Sequence, residues 1–218
     1  MSMEIAEEGH LPIVAALKEL STRLAQAQST WLLGGSCGLW LQGVPLERPP
    51  RDIDVYYDRA DVKKLHASLT ALALDEPILD ESGSYTSMLS HYRLGSLTME
   101  LVGGFEVKKG NSKYRTEVNG VLSEYSKCIT LGGSAIQIMP LVHELLFNVL
   151  RERPDRYNAI AEVIRQSPEP HLSLLKMLLA RNKWDAETVI SVAELLDTPE
   201  IAEDWESKRK TLEEPKWS

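Results

Sequence analysis

Two carboxylates alternate with aliphatic residues in the sequence DIDVYY, which covers residues 52–57. Successive side chains on a β-strand point to opposite faces, so Asp52 and Asp54 share one face while Ile53 and Val55 share the other. Two like charges held side by side raise each other's pKa, and a divalent cation relieves this repulsion because carboxylate oxygens are its ligands. The spacing therefore predicts a strand that presents two candidate metal ligands.

A short glycine-serine turn precedes this strand. Gly34, Gly35 and Ser36 follow the apolar run 31–33, and helical spacing resumes over residues 36–42. A turn of this kind at the start of a helix exposes backbone amides that can bind phosphate oxygens, and the helix dipole favours their negative charge. Ser36 can either cap the helix or give its hydroxyl to a phosphate. The turn is thus a candidate phosphate-binding site.

A third carboxylate lies further along the chain, in the sequence LTMELV. The apolar residues of this segment alternate on one face of the expected strand, so Glu100 projects from the opposite face. If this strand lies beside the strand that carries Asp52 and Asp54, three carboxylates converge and can hold two metal ions roughly 3.5–4 Å apart. We therefore expect these three acids to serve both as metal ligands and as catalytic residues.

The order of these motifs resembles the signature of the DNA polymerase β-type nucleotidyltransferase superfamily. That signature combines a glycine-rich pair, a later aspartate-x-aspartate strand and a single acidic residue beyond it, and this chain has GGS, RDIDV and Glu100 in that order. The resemblance extends to the small bacterial members, including antibiotic-type and toxin-type nucleotidyltransferases. It implies a phosphate-binding role for Gly35 and Ser36. It also implies metal binding by Asp52 and Asp54, with Glu100 as the third acid.

The resemblance implies a metal-dependent transfer reaction. An NMP would move from an NTP such as ATP to an acceptor hydroxyl with release of pyrophosphate, and Mg²⁺ or Mn²⁺ would be the cofactor. Gly34, Gly35 and Ser36 would bind the nucleotide. Arg51 can steady the triphosphate, or it can form a surface ion pair with the neighbouring aspartates; both interpretations stay open.

The sequence leaves the acceptor open, since a small antibiotic-like alcohol, a tRNA end and a protein side chain all fit. An alternative from another functional class is a catalytically silent nucleotidyltransferase-like module that binds a nucleotide or a protein partner. A Rossmann-type nucleotide-binding enzyme is disfavoured because no GxGxxG sequence follows the first strand.

The composition indicates an ordinary globular protein. The chain has 218 residues, of which 43% are hydrophobic and 26% are charged, so it can bury a core of one domain or of two small ones. Its formal net charge of -8 repels polyanions over most of the surface. Broad nonspecific binding to nucleic acid is therefore disfavoured, although a local basic cleft stays possible.

The cysteines and the apolar runs predict a cytoplasmic location. Cys37 and Cys128 lie far apart and match neither a disulfide framework nor a metal-knuckle spacing, so we expect two free thiols in a reducing compartment. The first residues are acidic where a signal peptide would be basic, and no apolar run approaches the roughly 20 residues of a membrane span.

The histidines carry no recognisable ligand pattern. His66, His91 and His171 lack the spacing of metal ligands, and none is assigned a catalytic role. His143 lies at the start of an apolar helix, where a buried or capping histidine is the expected structure.

Hydrophobic periodicity predicts an α+β fold, a mixed sheet flanked by helices. The resemblance implies that this sheet is nucleotidyltransferase-like. A hairpin is expected around the turn Gly95-Ser96, and Asp58 or Asp61 is expected to cap a helix. The expected helices before residue 140 are 12–28, 36–42 and one with an apolar face at residues 62, 65, 69 and 72. The other expected strands lie at 31–33, 52–57, around 114–122 and within 128–139.

After Pro140 the sequence changes to about four amphipathic helices. We therefore expect a nucleotidyltransferase-like domain over residues 1–139 and a C-terminal helical unit over residues 140–218. The final stretch, 207–218, is polar and is expected to be a frayed end.

Overall fold

The structure, a computed structural model, describes residues 11–131 and 133–213. Its helices are α1 (Leu11–Leu24), α2 (Gly35–Leu41), α3 (Val62–Leu69), α4 (Leu141–Leu150), α5 (Pro154–Arg165), α6 (Glu169–Arg181), α7 (Ala186–Leu195) and α8 (Glu200–Glu213). Its strands are β1 (Trp31–Gly34), β2 (Asp52–Tyr57), β3 (Ile78–Ser82), β4 (Tyr85–Leu94), β5 (Leu97–Lys109), β6 (Ser112–Arg115), β7 (Lys127–Leu131) and β8 (Ser134–Ile138).

The strands form one mixed sheet in the order β3-β4-β5-β2-β1-β8-β7, with β6 paired to β5. β1 runs antiparallel to β2 and parallel to β8, while β2 runs parallel to β5. The hairpins β3–β4 and β7–β8 are antiparallel. The sheet and its helices confirm the predicted α+β class.

Contacts divide the chain into two compact units. The first comprises the residues up to 106 together with 116–140, and the second comprises 107–115 together with the residues from 141 onward. A single boundary between residues 139 and 140 would leave 107–115 in the first unit.

The core of the first unit fixes which face of β2 looks outward. Ile53, Val55 and Tyr57 are fully buried, and Leu17 and Leu20 of α1 belong to the same core. Because the apolar residues of β2 alternate with its acids, burial of one set turns the other set away from this core. The predicted strand 52–57 is confirmed.

Two predictions about local structure are wrong. α1 ends at Leu24 instead of residue 28, and Gln28 has a left-handed φ of 48°, which an α-helix does not accommodate. Asp61 occupies the N-cap position of α3 as predicted, but neither Asp58 nor Asp61 makes a side-chain cap hydrogen bond. The Asp58 carboxylate instead accepts hydrogen bonds from the backbone amides of Val118 and Asn119.

The strand expected around residues 114–122 is also wrong in its extent. β6 ends at Arg115, and a 3₁₀ turn forms over Leu122–Tyr125. The backbone amides of residues 118 and 119 donate to Asp58, so they do not take part in strand pairing.

Two elements were not expected. β3 is an edge strand whose residues are mostly exposed, so it lacks the alternation that reveals a half-buried strand. α8 makes five helices after residue 140 among the described residues, where about four were expected, and it includes residues 207–213 of the stretch expected to be frayed. Residues 214–218 lie outside the described part. No helix within the described ranges combines the length and the apolar character that a membrane crossing requires.

The second unit encloses an aromatic cluster around His143. The imidazole is fully buried, its Nδ1 lies 2.6 Å from the Tyr114 hydroxyl, and its ring stacks on Phe147 at a centroid distance of 5.8 Å. Burial disfavours the imidazolium and lowers the pKa of His143 to about 3. His143 is therefore a neutral core residue, as the sequence predicted.

This depressed pKa predicts how stability changes with pH. The unfolded chain binds a proton at His143 near pH 6.5, but the folded chain does not until about pH 3. Between these values the unfolded state holds more protons, so the free energy of unfolding falls as pH falls, by up to about 1.4 kcal/mol per pH unit. Urea unfolding at intervals from pH 7 to pH 4 measures this slope.

A matched double variant isolates the contribution of His143. His143→Phe combined with Tyr114→Phe keeps both rings and leaves no hydroxyl without its partner. We expect this variant to lose less stability than the wild type as pH falls below 6.5. Parallel stability curves for the two proteins would contradict the assignment.

Candidate functional site

The site is built on a row of residues that crosses three neighbouring strands. Gly34 of β1 is the register partner of Asp54 on β2, and Asp54 is the register partner of Glu100 on β5. Register partners on adjacent strands project their side chains to the same face of a sheet. Two of the three predicted acids therefore lie side by side, next to the glycine turn.

Asp52 joins this row through the serine of the turn. It precedes Asp54 by two residues on β2 and so shares its face, and its register partner on β5 is Thr98. The Ser36 hydroxyl donates a hydrogen bond to Asp52 Oδ1 at 3.3 Å. Ser36 thus contacts a carboxylate and does not cap α2, whose N-cap is Gly34 without a side-chain cap bond.

Glycine is the one residue type that fits at position 35. Its φ of 57° is left-handed, and a Cβ placed there would overlap Asp54 Oδ2 and lie 2.6 Å from Asp54 Cγ. The Asp54 carboxylate is therefore packed directly against the backbone of the turn. The turn and the strand form one structural feature, although a loop separates them in sequence.

Cys37 closes the inner side of this feature. Its thiol is fully buried and donates a hydrogen bond to the Asp52 carbonyl oxygen at 3.2 Å. Burial raises the pKa of the thiol far above its usual range, and the negative charges of Asp54 and Asp52 raise it further. The thiol stays protonated and serves as packing. Cys37 and Cys128 are both free cysteines, as predicted.

The donor set of the site suits a hard divalent cation. Asp52, Asp54 and Glu100 offer carboxylate oxygens, the ligands that Mg²⁺ prefers, and Mg²⁺ commonly uses one or two protein carboxylates together with substrate phosphates. Within the described ranges, no group of three or more His, Cys, Asp or Glu side chains is placed so that it could hold a metal ion. Asp54 and Glu100 are register partners, so two carboxylates of this kind lie side by side, and binding of one or two ions stays a prediction.

Arg51 lies directly before β2 and is exposed. It is adjacent to Asp52, the first residue of that strand.

His91 lies next to the row, and sequence reasoning missed this residue. Its Nε2 lies 4.0 Å from Glu100 Oε1, and its Nδ1 lies 2.6 Å from Asp75 Oδ2. A usable signal was present, because a two-residue turn fixes the register of a hairpin. Counting outward from Gly95-Ser96 places residue 91 opposite residue 100.

Comparison with known structures identifies the fold. A protein of Thermotoga maritima that is assigned as a nucleotidyltransferase matches with a TM-score of 0.55 and 18% sequence identity, over 72% of this chain and 92% of that chain. The antibiotic-resistance factor ANT(2″)-Ia matches with a TM-score of 0.49 and 11% identity, over 78% and 92% of the two chains. The lincosamide antibiotic adenylyltransferase LnuA matches with a TM-score of 0.43 and 12% identity, over 68% and 96%.

No protein-family model matches the sequence, and no curated protein matches it either. The likeness to the Thermotoga maritima structure shows that this chain shares the fold of that protein. The resemblance seen in the sequence motifs is thereby confirmed at the level of the fold.

The crowding at Gly35 predicts that this glycine cannot be replaced. Gly35→Ala adds a left-handed alanine, which costs about 1–2 kcal/mol, and also displaces the Asp54 carboxylate. We expect a loss in the free energy of unfolding greater than that range and a weakened response to Mg²⁺·ATP. Urea unfolding and titration with Mg²⁺·ATP measure the two effects.

Gly43→Ala is the matched control for this variant. Gly43 also has a left-handed φ, of 81°, but no heavy atom lies within 4 Å of a Cβ placed there. It should lose only the backbone contribution and keep the wild-type response to Mg²⁺·ATP. Equal losses of stability and equal responses to Mg²⁺·ATP in the two variants would show that Gly35 does not determine the arrangement of the acids in the row.

Proposed function

We propose that this protein is a metal-dependent nucleotidyltransferase that transfers an NMP from an NTP to an acceptor hydroxyl and releases pyrophosphate. The observation that carries the proposal is the row Gly34, Asp54 and Glu100 across β1, β2 and β5. This row brings a glycine turn and two acids together at one face of a nucleotidyltransferase fold. Nucleotidyl transfer needs phosphate contacts beside carboxylate ligands, and the neighbouring glycine turn and acids support a proposal of both roles.

The proposed nucleotide contacts come from the turn. The backbone amides at Gly34, Gly35 and Ser36 bind the phosphates, and Arg51 steadies the triphosphate through its charge. Because α2 has only seven residues, the contact depends on the amides of the turn more than on a helix dipole. Ser36 links this contact to the acids through its hydrogen bond to Asp52.

The proposed ligands of Mg²⁺ or Mn²⁺ are the register partners Asp54 and Glu100, and Asp52 joins them as the third ligand when the ion and the nucleotide bind. When bound, such an ion neutralises phosphate charge and polarises the α-phosphoryl group. Glu100, beyond Asp54 in the row, accepts a hydrogen bond from the acceptor hydroxyl and orients it. The hydroxyl oxygen forms the new bond to the α-phosphorus, its proton passes to Glu100 or to water, and the bond to pyrophosphate breaks.

The acceptor is proposed only as a class, a molecule with a nucleophilic hydroxyl. A small alcohol, an RNA end and a protein side chain each provide one.

Ligand-dependent stability tests the metal and nucleotide site. Mg²⁺ with ATP at about 100 times its Kd should raise the Tm of the wild type by about 5–10 °C. Asp52→Ala/Asp54→Ala should show no such rise because the carboxylate ligands are gone. Asp80→Ala/Glu81→Ala on the edge strand β3 is the matched control, since it removes two acids that lie outside the row and are separated from β5 by β4, and it should respond like the wild type. Equal rises in both double variants would count against this site.

Transfer of label tests the reaction itself. The protein is incubated with Mg²⁺, an extract of its source cells and each NTP in turn, labelled at the α-phosphate. We expect one class of molecule to acquire label with the wild type and none with Asp52→Ala/Asp54→Ala. Nucleotide binding without any transfer would instead identify a catalytically silent module.

A further inference from the structure

His91 is held firmly on one side of its ring. The backbone amide of His91 donates to Asp75 Oδ1 at 2.7 Å, and its Nδ1 lies 2.6 Å from Asp75 Oδ2. The amide of Leu74 also donates to the His91 carbonyl oxygen at 2.8 Å. The Asp75 carboxylate therefore contacts both the backbone and the ring of His91. These two contacts fix the direction of the imidazole.

The charge on Asp75 fixes which side of this ring faces it. Partial burial acts to raise the pKa of Asp75, but the hydrogen bonds from the amide and ring of His91 outweigh it and lower the pKa. An ionised carboxylate can only accept, so Nδ1 carries a proton and donates it. The other ring nitrogen, Nε2, is then the one turned toward the site.

Nε2 faces the third acid of the row. It lies 4.0 Å from Glu100 Oε1, and both side chains are partly exposed, with 33% of His91 and 41% of Glu100 accessible. Glu100 is a long side chain with several rotatable bonds, and a partly exposed one samples many rotamers unless a neighbour restricts it. His91 is the fixed neighbour on the side away from Asp54.

We propose that His91 is a positioning residue, oriented by Asp75, which keeps the Glu100 carboxylate in the row beside Asp54. The inference rests on the proposed function, in which Glu100 is the third acid. Residues that orient a ligand from behind typically affect metal affinity or activity by about 10–100-fold when they are replaced.

A double-mutant cycle tests this role, with two readouts: the Kd for Mg²⁺·ATP by calorimetry and the rate of label transfer. His91→Phe keeps the ring volume but removes both nitrogens, and it should impair at least one readout about 10–100-fold. His91→Gln keeps a polar side-chain group near the position of Nε2 and should restore most of the loss. In a Glu100→Gln background, His91→Phe should change neither readout by more than about twofold, because a positioning residue acts through Glu100.

His66→Phe is the matched control. His66 also contacts a carboxylate, Glu76, at 3.2 Å, and its Nδ1 lies 2.7 Å from the Tyr92 hydroxyl. Its replacement should lower Tm without changing either readout. If His91→Phe does not fold, Asp75→Asn is measured instead, since it leaves His91 and Glu100 in place but weakens the grip on the ring.

The outcomes separate this inference from the proposed function. A wild type that neither binds Mg²⁺·ATP nor transfers label overturns both. A wild type that does so, with His91→Phe equally active, overturns the inference alone. Equal losses from His91→Phe in the wild-type and Glu100→Gln backgrounds also overturn it, because they indicate a purely structural role.

Discussion

The parallel pairing of β2 with β5 is the constraint on which the site depends. A slip of one residue would turn Glu100 to the opposite face from Asp54, because side chains alternate along a strand. The other end of the same pairing resists such a slip. Tyr57 is the register partner of Gly103, and a Cβ at Gly103 would lie 2.6 Å from the Tyr57 hydroxyl oxygen. The packing of Tyr57 against Gly103 thus fixes the register that places Asp54 beside Glu100.

The sequence contained the parts of the site that depend on local periodicity. Alternation defined β2 at its observed ends, and the Gly95-Ser96 turn identified the β4–β5 hairpin. The close approach of Gly35 to Asp54 was not accessible in this way. It depends on antiparallel pairing of β1 with β2 across a proline-containing loop, and a single sequence does not state which strands become neighbours.

Two further misses, at Asp58 and His91, concern polar contacts between different elements of the fold. Asp58 was expected to cap a helix by its position, but it accepts two backbone amides from residues 118 and 119. His91 lacked any ligand spacing along the chain, yet strand pairing sets it beside Glu100. The contacts of Asp58 are set by tertiary structure, so neither propensity nor spacing reveals them, whereas the position of His91 follows from the register of the hairpin around Gly95-Ser96.

The hairpin of residues 107–115 has a consequence for how this protein could have diversified. The Tyr114 hydroxyl lies within hydrogen-bond distance of His143, and Ser112 donates to Asp185 at 2.9 Å. The C-terminal helices therefore pack against residues from an earlier part of the chain. Recombination that exchanged only the C-terminal helices would separate these partners. An intact replacement would have to carry a discontinuous stretch of gene, and this requirement favours change by point substitution over shuffling of whole modules.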